Sequence, residues 1–361
     1  MIYAGYIVLA LAGYRFFTVL LNLFFRQATP KVPIDENVPV SVLIPARNEA
    51  ENIGLLLNDL QNIGYKNLEI LVLNDDSTDS TGEIIDSFAQ KDARIKQLYS
   101  NKLPNQWLGK NFACNTLAQE AKGKYFLFID ADVRLKHSAV EDALAHVIKH
   151  KLVLLSVFPQ QIMRTRGEKI TVPIMHTILL SLLPLIFVRI SPFSSHSAAN
   201  GQFMFFNAEV YRKMNPHQKF KSNAVEDILT AQYFKRNKLK IACITGNKNI
   251  ECRMYKGYSE AVHGFAKNVL MFFGNSAVVA ILFFLLTTFG FMLLIPTPKL
   301  LLSYLFLIIS TRILVSVVAK QSVSENLKYM FLQQLSLGYF IYHAILKRLN
   351  KTYEWKGRKI Y

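Results

Sequence analysis

Three apolar runs of strand length, each ending in polar or acidic residues and each leading into a helix-spaced segment, limit the possible folds of this chain more than any other feature. They are "VPVSVLIPARNE", "LEILVLNDDSTDS" and "KYFLFIDADV". After the first, Ile53, Leu56, Leu57 and Leu60 recur at helical spacing. After the second, Ser77 to Thr81 supply cap-type residues before another helix. "IKQLYS" and "NFACNTLAQEA" form a further strand and helix, so that "KYFLFI" is the fourth strand. This alternation predicts an α/β fold with a doubly wound, mostly parallel sheet and right-handed crossovers. Ligands of such sheets bind beyond the carboxyl ends of the strands. Pro45 to Glu49, Asn74 to Asp76 and Asp130 to Asp132 are therefore expected to converge on one cleft.

The residue types at these ends define a chemistry. Asp130 and Asp132, one residue apart, repel one another unless a cation lies between them, and their hard oxygen ligands suit Mg²⁺ or Mn²⁺. Such ions bind through one or two carboxylates plus a substrate diphosphate. A lone Asp-x-Asp is also a common solvated turn, so the argument rests on the other strand ends. Asp75 or Asp76 can accept hydrogen bonds from a nucleobase edge or a ribose hydroxyl, whereas Ser77 and Asp79 read as helix caps. Lys110 follows a glycine near a helix start, where backbone N–H groups and a cation favour phosphate; a solvated lysine fits the local pattern equally. Glu226 and Asp227 open a later helix, and capping accounts for them locally. A group transfer by direct displacement onto a hydroxyl or carboxyl acceptor needs a general base, however, and Asp227 is the candidate.

Composition places this domain in a membrane frame. Hydrophobic residues make up 51% of the 361, with 26 Phe and 16 Tyr, and the excess is concentrated in residues 1–25 and after about 275. The first segment is long enough to span a bilayer core, which needs roughly 20 residues. It has no basic leader or small-residue cleavage site, and Arg15 interrupts it, so it reads as an uncleaved anchor. Arg26 and Lys31 follow it and favour a cytoplasmic main domain. Residues 170–190 are apolar but broken by Pro173, His176, Pro184 and Arg189, and are expected to lie at the interface. Residues 277–295 and 300–319, separated by "PTPK", read as a membrane hairpin. Residues 329–346 contain Gln333, Gln334, Gly338 and His343, and charge bias favours an interfacial or re-entrant helix over a third span.

The net charge of +17 clusters beside the membrane segments, and without a recognition-helix or aromatic RNA-binding signature it implies anionic headgroups or phosphates rather than nucleic acid. Cys114, Cys243 and Cys252 lack metal-ligand spacing and fit a reduced compartment.

"IPARNE", "NDDSTD", "FIDADV" and "ED", in this order and spacing, resemble the inverting family-2 glycosyltransferases with a GT-A fold, over roughly residues 38–240. "WLGKNFAC", "CRMYKGYSEAVHGFAKN" and "EWKGR" extend the likeness over most of the chain to a membrane-bound bacterial branch that includes the carotenoid-acid (diaponeurosporenoate) glycosyltransferases. The resemblance implies that Pro45, Arg47 and Glu49 line the nucleotide pocket and that Asp75 holds the base. It implies that Asp130 contacts the ribose or the metal, that Asp132 ligates the metal, and that Lys110 faces phosphate. It assigns Asp227 as the base. Arg253 and His263 are expected near the acceptor or diphosphate.

The arginine-tryptophan motif of processive synthases is absent after residue 240, which favours a single transfer. The expected organisation is an anchor over 1–25, a GT-A domain over 38–250, an acceptor-side segment over 251–276, membrane helices over 277–346 and a basic cytoplasmic tail over 347–361. The donor is expected to be a nucleotide sugar, with a UDP-hexose favoured, and the acceptor a lipid entering between 170–190 and 253–275; oligomeric state is not legible. The competing readings are a polyprenyl-phosphate glycosyltransferase, and a catalytically silent nucleotide-binding membrane partner. "EWKGRKIY" reads either as an interface anchor or as a tail folding over the diphosphate.

Overall fold

The computed structural model describes residues 2–27 and 38–350, together with the backbone of two short strands near the C-terminus. Lys31 and the side chains of "EWKGRKIY" lie outside the described residues. In chain order the elements begin with α1 (Ile2–Phe24), β1 (Val40–Ala46), α2 (Ile53–Gln61), β2 (Leu68–Asn74), α3 (Thr81–Ala89), β3 (Ile95–Tyr99), α4 (Gly109–Glu120) and β4 (Tyr125–Ile129). There follow β5 (Val133–Leu135), α5 (Ala139–His150), β6 (Leu154–Phe158), β7 (Gln160–Gln161), α6 (Arg166–Thr171), α7 (Pro173–Leu182), α8 (Leu185–Ile190) and β8 (Phe203–Asn207). The domain closes with α9 (Ala208–Met214), α10 (Pro216–Lys219), α11 (Glu226–Arg236), β9 (Ile241–Thr245), β10 (Ile250–Cys252) and α12 (Tyr258–Asn268). Beyond these lie α13 (Ala277–Phe289), α14 (Pro298–Val318), α15 (Val323–Lys328) and α16 (Met330–Asn350), with a terminal hairpin of β11 (Glu354–Trp355) and β12 (Arg358–Lys359).

Seven strands form the central sheet in the order β3-β2-β1-β4-β8-β6-β9. The pairs β1/β2, β2/β3, β1/β4 and β6/β9 are parallel, and β8 runs antiparallel between β4 and β6. The strands read as continuous apolar runs because helices cover both faces. Alternation along β1 then divides the core: Val42 and Ile44 join Leu56, Leu57 and Leu60 of α2 on one face, while Leu43 faces the opposite side with Phe126 and Phe128. That second cluster also holds Val19 of α1 and Val315 and Val318 of α14. The apolar helices are thus seated directly on the back of the sheet.

Three helical stretches, Tyr3–Phe24, Ala277–Leu294 and Pro298–Val318, are long and apolar enough to cross a membrane. Their outward faces leave Ile7 (60% exposed), Val278 (66%) and Leu302 (68%) uncovered, as lipid-facing side chains are. α16 is not among the candidate spans. Two of the polar residues that interrupt it are engaged in helix contacts: the buried Gln333 donates to the Lys169 carbonyl (3.0 Å) and accepts from Arg312 (2.8 Å), and Gln334 donates to Thr287 and Thr288 hydroxyls.

The stretch 170–190 is three short helices, and α7 differs from the expected interfacial segment. Its residues are mostly buried because α1 is fastened to it by polar contacts. Tyr14 Oη donates to the Leu182 carbonyl at 2.7 Å, Arg15 Nε to Ser181 Oγ at 3.1 Å, and the Asn22 amide to the Leu180 carbonyl at 2.8 Å. Asn22 Oδ1 in turn accepts from the Leu185 N–H at 2.6 Å. The arginine that interrupts the first segment is therefore buried against protein.

Candidate active site

The carboxyl ends of β1, β2 and β4 open into a single cavity of about 1240 Å³. Pro45, Arg47, Glu49 and Asp75 line one end of it; Lys110, Asp130, Asp132 and Asp227 stand at its centre. Arg253 lines it too, as do apolar residues of α1, α7 and the segment after α12. The structure thus brings Pro45, Arg47, Glu49, Asp75, Lys110, Asp130, Asp132, Asp227 and Arg253 to one cavity. His263 departs from its expectation: it lies on an exposed face of α12, its Nδ1 within 2.8 Å of the Ser259 carbonyl, and does not line the cavity.

At the first end, Arg47 reaches across to β2 and donates to the carbonyls of Asp75 (2.6 Å) and Asp76 (3.0 Å). Asp79 behaves as the capping reading requires, accepting from the N–H groups of Thr81 and Ala50 at 3.1 Å each and from Thr81 Oγ1 at 2.5 Å. The Asp75 side chain, by contrast, is buried in the cavity wall.

The central acids are placed by strand register. Asp132 leads directly into β5, whose Arg134 forms a two-pronged ion pair with Asp59 of α2 (2.5 and 2.7 Å). β5 pairs with β10 so that Val133 lies opposite Cys252. Gln202, just before β8, donates to Cys252 Sγ at 2.9 Å and sits 3.4 Å from Asp132 Oδ2. Asp130 Oδ1 is 2.6 Å from Lys110 Nζ. Burial would by itself discharge Lys110, but Asp130 and Glu226 outweigh it and keep the ammonium charged. Burial, reinforced by Asp130 and Glu49, pushes the Asp132 carboxyl up to about 7.

Asp132 Oδ1 is buried with no hydrogen-bond partner among the described residues. An orphaned, strained carboxylate oxygen beside a second carboxylate is what a hard divalent ion relieves, so Asp130 and Asp132 fit Mg²⁺ or Mn²⁺. Among the described residues no group of three or more His, Cys, Asp or Glu side chains is assembled for a metal, so the remaining ligands have to come from substrate and water.

Asp227, at the start of α11, is held by backbone donors: the Gly201 N–H at 2.9 Å and the Ile228 N–H at 2.8 Å. Burial raises its pKa against those two bonds. Burial also raises neighbouring Glu226, against the pull of Lys110, to about 7. Gly201 makes this arrangement possible. A Cβ there would come 3.5 Å from Lys110 Nζ, 3.6 Å from Asp227 Oδ2 and 3.7 Å from Glu226 Oε1, filling the space they enclose.

Arg253 is oriented by Glu168 (2.7 Å), a fully buried carboxylate that also completes the capping box of α6 with Thr165. Sequence reasoning missed Gly201, Gln202, Glu168 and Lys267. "NGQ" before a strand was a usable turn signal for the first two; the others depend on contacts between distant segments.

A mostly parallel sheet with one reversed strand, acids at adjoining strand ends and a cleft beyond them define the GT-A class of α/β fold. The mannosyltransferase PcManGT from Pyrobaculum calidifontis, solved in complex with GDP-Man and Mn²⁺, has this architecture: TM-score 0.58, 17% identity, 96% of this chain and 99% of that one covered. Residues 41–215 match the Glycosyl transferase family 2 model. Among curated proteins, the 4,4'-diaponeurosporenoate glycosyltransferase of Staphylococcus haemolyticus is 26% identical over 233 residues, 64% of this chain. The probable glycosyltransferase YdaM of Bacillus subtilis is 42% identical over 95 residues, 26% of this chain and 22% of that protein. The chain spans 60% of the length of the staphylococcal relative. Asp227 lies beyond the family match, so its role is argued from geometry.

Proposed function

We propose that this protein is a membrane-bound, inverting glycosyltransferase that moves one sugar from a nucleotide sugar, a UDP-hexose being favoured, to a lipid-soluble acceptor at the cytoplasmic face of the cell membrane. The carrying observation is the continuity of the cavity, which runs from Asp75 and Asp132 to Phe17, Leu21, Leu182 and Phe272 without a dividing wall. One end suits a nucleotide and the other an apolar chain. The acceptor named in the staphylococcal relative, a carotenoid acid, supports such an acceptor here.

In this reading Pro45, Arg47, Glu49 and Asp75 bind the nucleoside, and Asp130 and Asp132 would hold Mg²⁺ or Mn²⁺. That ion, when bound, supplies charge stabilisation for a departing diphosphate. Lys110 holds Asp130 in place and keeps positive charge beside the phosphates. Asp227 faces the centre of the cavity and takes the acceptor proton as the acceptor oxygen attacks the anomeric carbon; its raised pKa makes it a stronger base than an exposed aspartate. The apolar wall excludes water and limits hydrolysis of the donor.

The test is donor binding by the purified full chain in detergent. Mn²⁺ is expected to tighten UDP-glucose or GDP-mannose binding, and Asp132→Asn to abolish that enhancement. No enhancement in the unaltered protein would leave the silent nucleotide-binding partner as the better reading.

A further inference from the structure

The cations that line the cavity differ in how they are engaged. Arg47 lies 3.7 Å from Asp76, Lys110 2.6 Å from Asp130 and Arg253 2.7 Å from Glu168, while Lys256 is paired with Glu51. Lys267, on the last turn of α12, lines the same cavity and has no ion pair or hydrogen bond among the described residues. It is near enough to Glu226, Asp227 and Asp130 to feel their charge, yet burial dominates and lowers its pKa.

The helix explains its direction. Ala261, Val262, Phe265 and Ala266 are buried in a cluster with α16, and of these Phe265 also reaches the cavity. Glu260, Lys267, Asn268 and Met271 instead line the cavity, at the seven-, eight- and eleven-residue spacings that share a helical face. Lys267 is thus a cavity cation that no described side chain neutralises through an ion pair, beside the apolar Met271 and Phe272.

We infer that Lys267 recognises an anionic headgroup, a carboxylate or phosphate on an apolar tail, and thereby selects the acceptor. This inference rests on the glycosyltransferase reading given above. The anion sits between Lys267 and the centre of the cavity, with its tail along Met271, Phe272 and α1. An acceptor oxygen forms the new bond to the anomeric carbon, the bond from that carbon to the diphosphate oxygen breaks, and the electron pair leaves with the nucleoside diphosphate. Any proton the acceptor still carries passes to Asp227. The ammonium offsets the repulsion between an arriving anion and the acids Glu226 and Asp227, which a neutral alcohol would not encounter.

Retinoic acid, retinyl phosphate and retinol share a polyene tail and differ in headgroup. Their binding to the full chain in nanodiscs can be read by quenching of Trp107, which lines the cavity, in a Trp355→Phe background. Lys267→Gln is expected to weaken one or both anionic probes about tenfold or more while changing retinol less than twofold; Lys267→Arg should retain anion binding. The anion that binds the unaltered protein more tightly identifies the headgroup. Equal loss for acid and alcohol would mean that Lys267 only balances the neighbouring acids, and no loss, or no binding of either anion by the unaltered protein, would equally overturn the inference. Mn²⁺-dependent donor binding, measured in parallel on the same variant, checks that the site is folded. Its absence in the unaltered protein would count against the glycosyltransferase reading, while the acid-against-alcohol comparison would still decide the role of Lys267.

Discussion

The two ends of the cavity use their polar groups differently. At the strand-end side, Arg47 is committed to the Asp75 and Asp76 carbonyls, and Asp79 to Thr81 and Ala50. These bonds fix the loops that shape that end of the cavity. From the centre toward the apolar side, Asp132 Oδ1, Arg253 Nε and Asn268 Oδ1 are buried without hydrogen-bond partners among the described residues. Unsatisfied buried groups cost about 1–3 kcal/mol each. The difference separates a scaffold that is finished by folding from a surface that is finished by ligands.

Substitutions can break that contrast in graded ways. Asp227→Asn keeps the shape of the side chain and removes the proposed base, so turnover of an acceptor that arrives protonated should fall by about 10²- to 10⁴-fold, that of an already ionised acceptor much less, while donor binding is spared; steady-state kinetics with a separate donor-binding assay checks this. Gly201→Ala should cost less. Its added Cβ meets Lys110, Asp227 and Glu226 at 3.5–3.7 Å, ordinary contact distances, so the thermal midpoint should hold while turnover drops roughly tenfold because the methyl occupies space that the substrate would fill. A loss of folding instead would mean that the glycine serves the backbone rather than the space.

Asp59→Ala tests the scaffold side. It leaves Arg134 and the Leu135 N–H without their carboxylate, and should lower stability by about 1.5–3 kcal/mol with a smaller effect on turnover than either change above. The smallest effect concerns acid sensitivity. Burial, aided by Lys110, holds His217 down at about 3, against 6.5 for an ordinary histidine. As pH falls below 6.5 the unfolded chain takes up this proton first, so stability is lost progressively from there toward pH 3. His217→Gln should flatten that part of the stability curve, measured by thermal melts across the range.

Much of the sheet was legible because its strands are apolar on both faces and its helices repeat at a different period, as Ile53, Leu56, Leu57 and Leu60 show in their complete burial. The convergence of Pro45, Asp75 and Asp132 followed from strand direction alone. The reversed direction of β8 was not legible, since it depends on how α6, α7 and α8 return the chain. Nor was the second role of the first helix. Tyr14 and Phe17 look like anchor residues in sequence, yet they also line the cavity, because Asn22 and Arg15 tie that helix to α7 and α8. Lys267 carries no local signal that separates it from a solvated lysine; only the packing of α12 against α16 turns it inward.

The central claim is that a nucleotide-sugar end and a lipid end share one catalytic cavity. Mass spectrometry of lipid extracts from cells expressing the full chain, the Asp132→Asn variant or neither tests it most directly. The account predicts hexose-shifted apolar species that appear with the unaltered chain alone. Their absence, or equal amounts with Asp132→Asn, would contradict it.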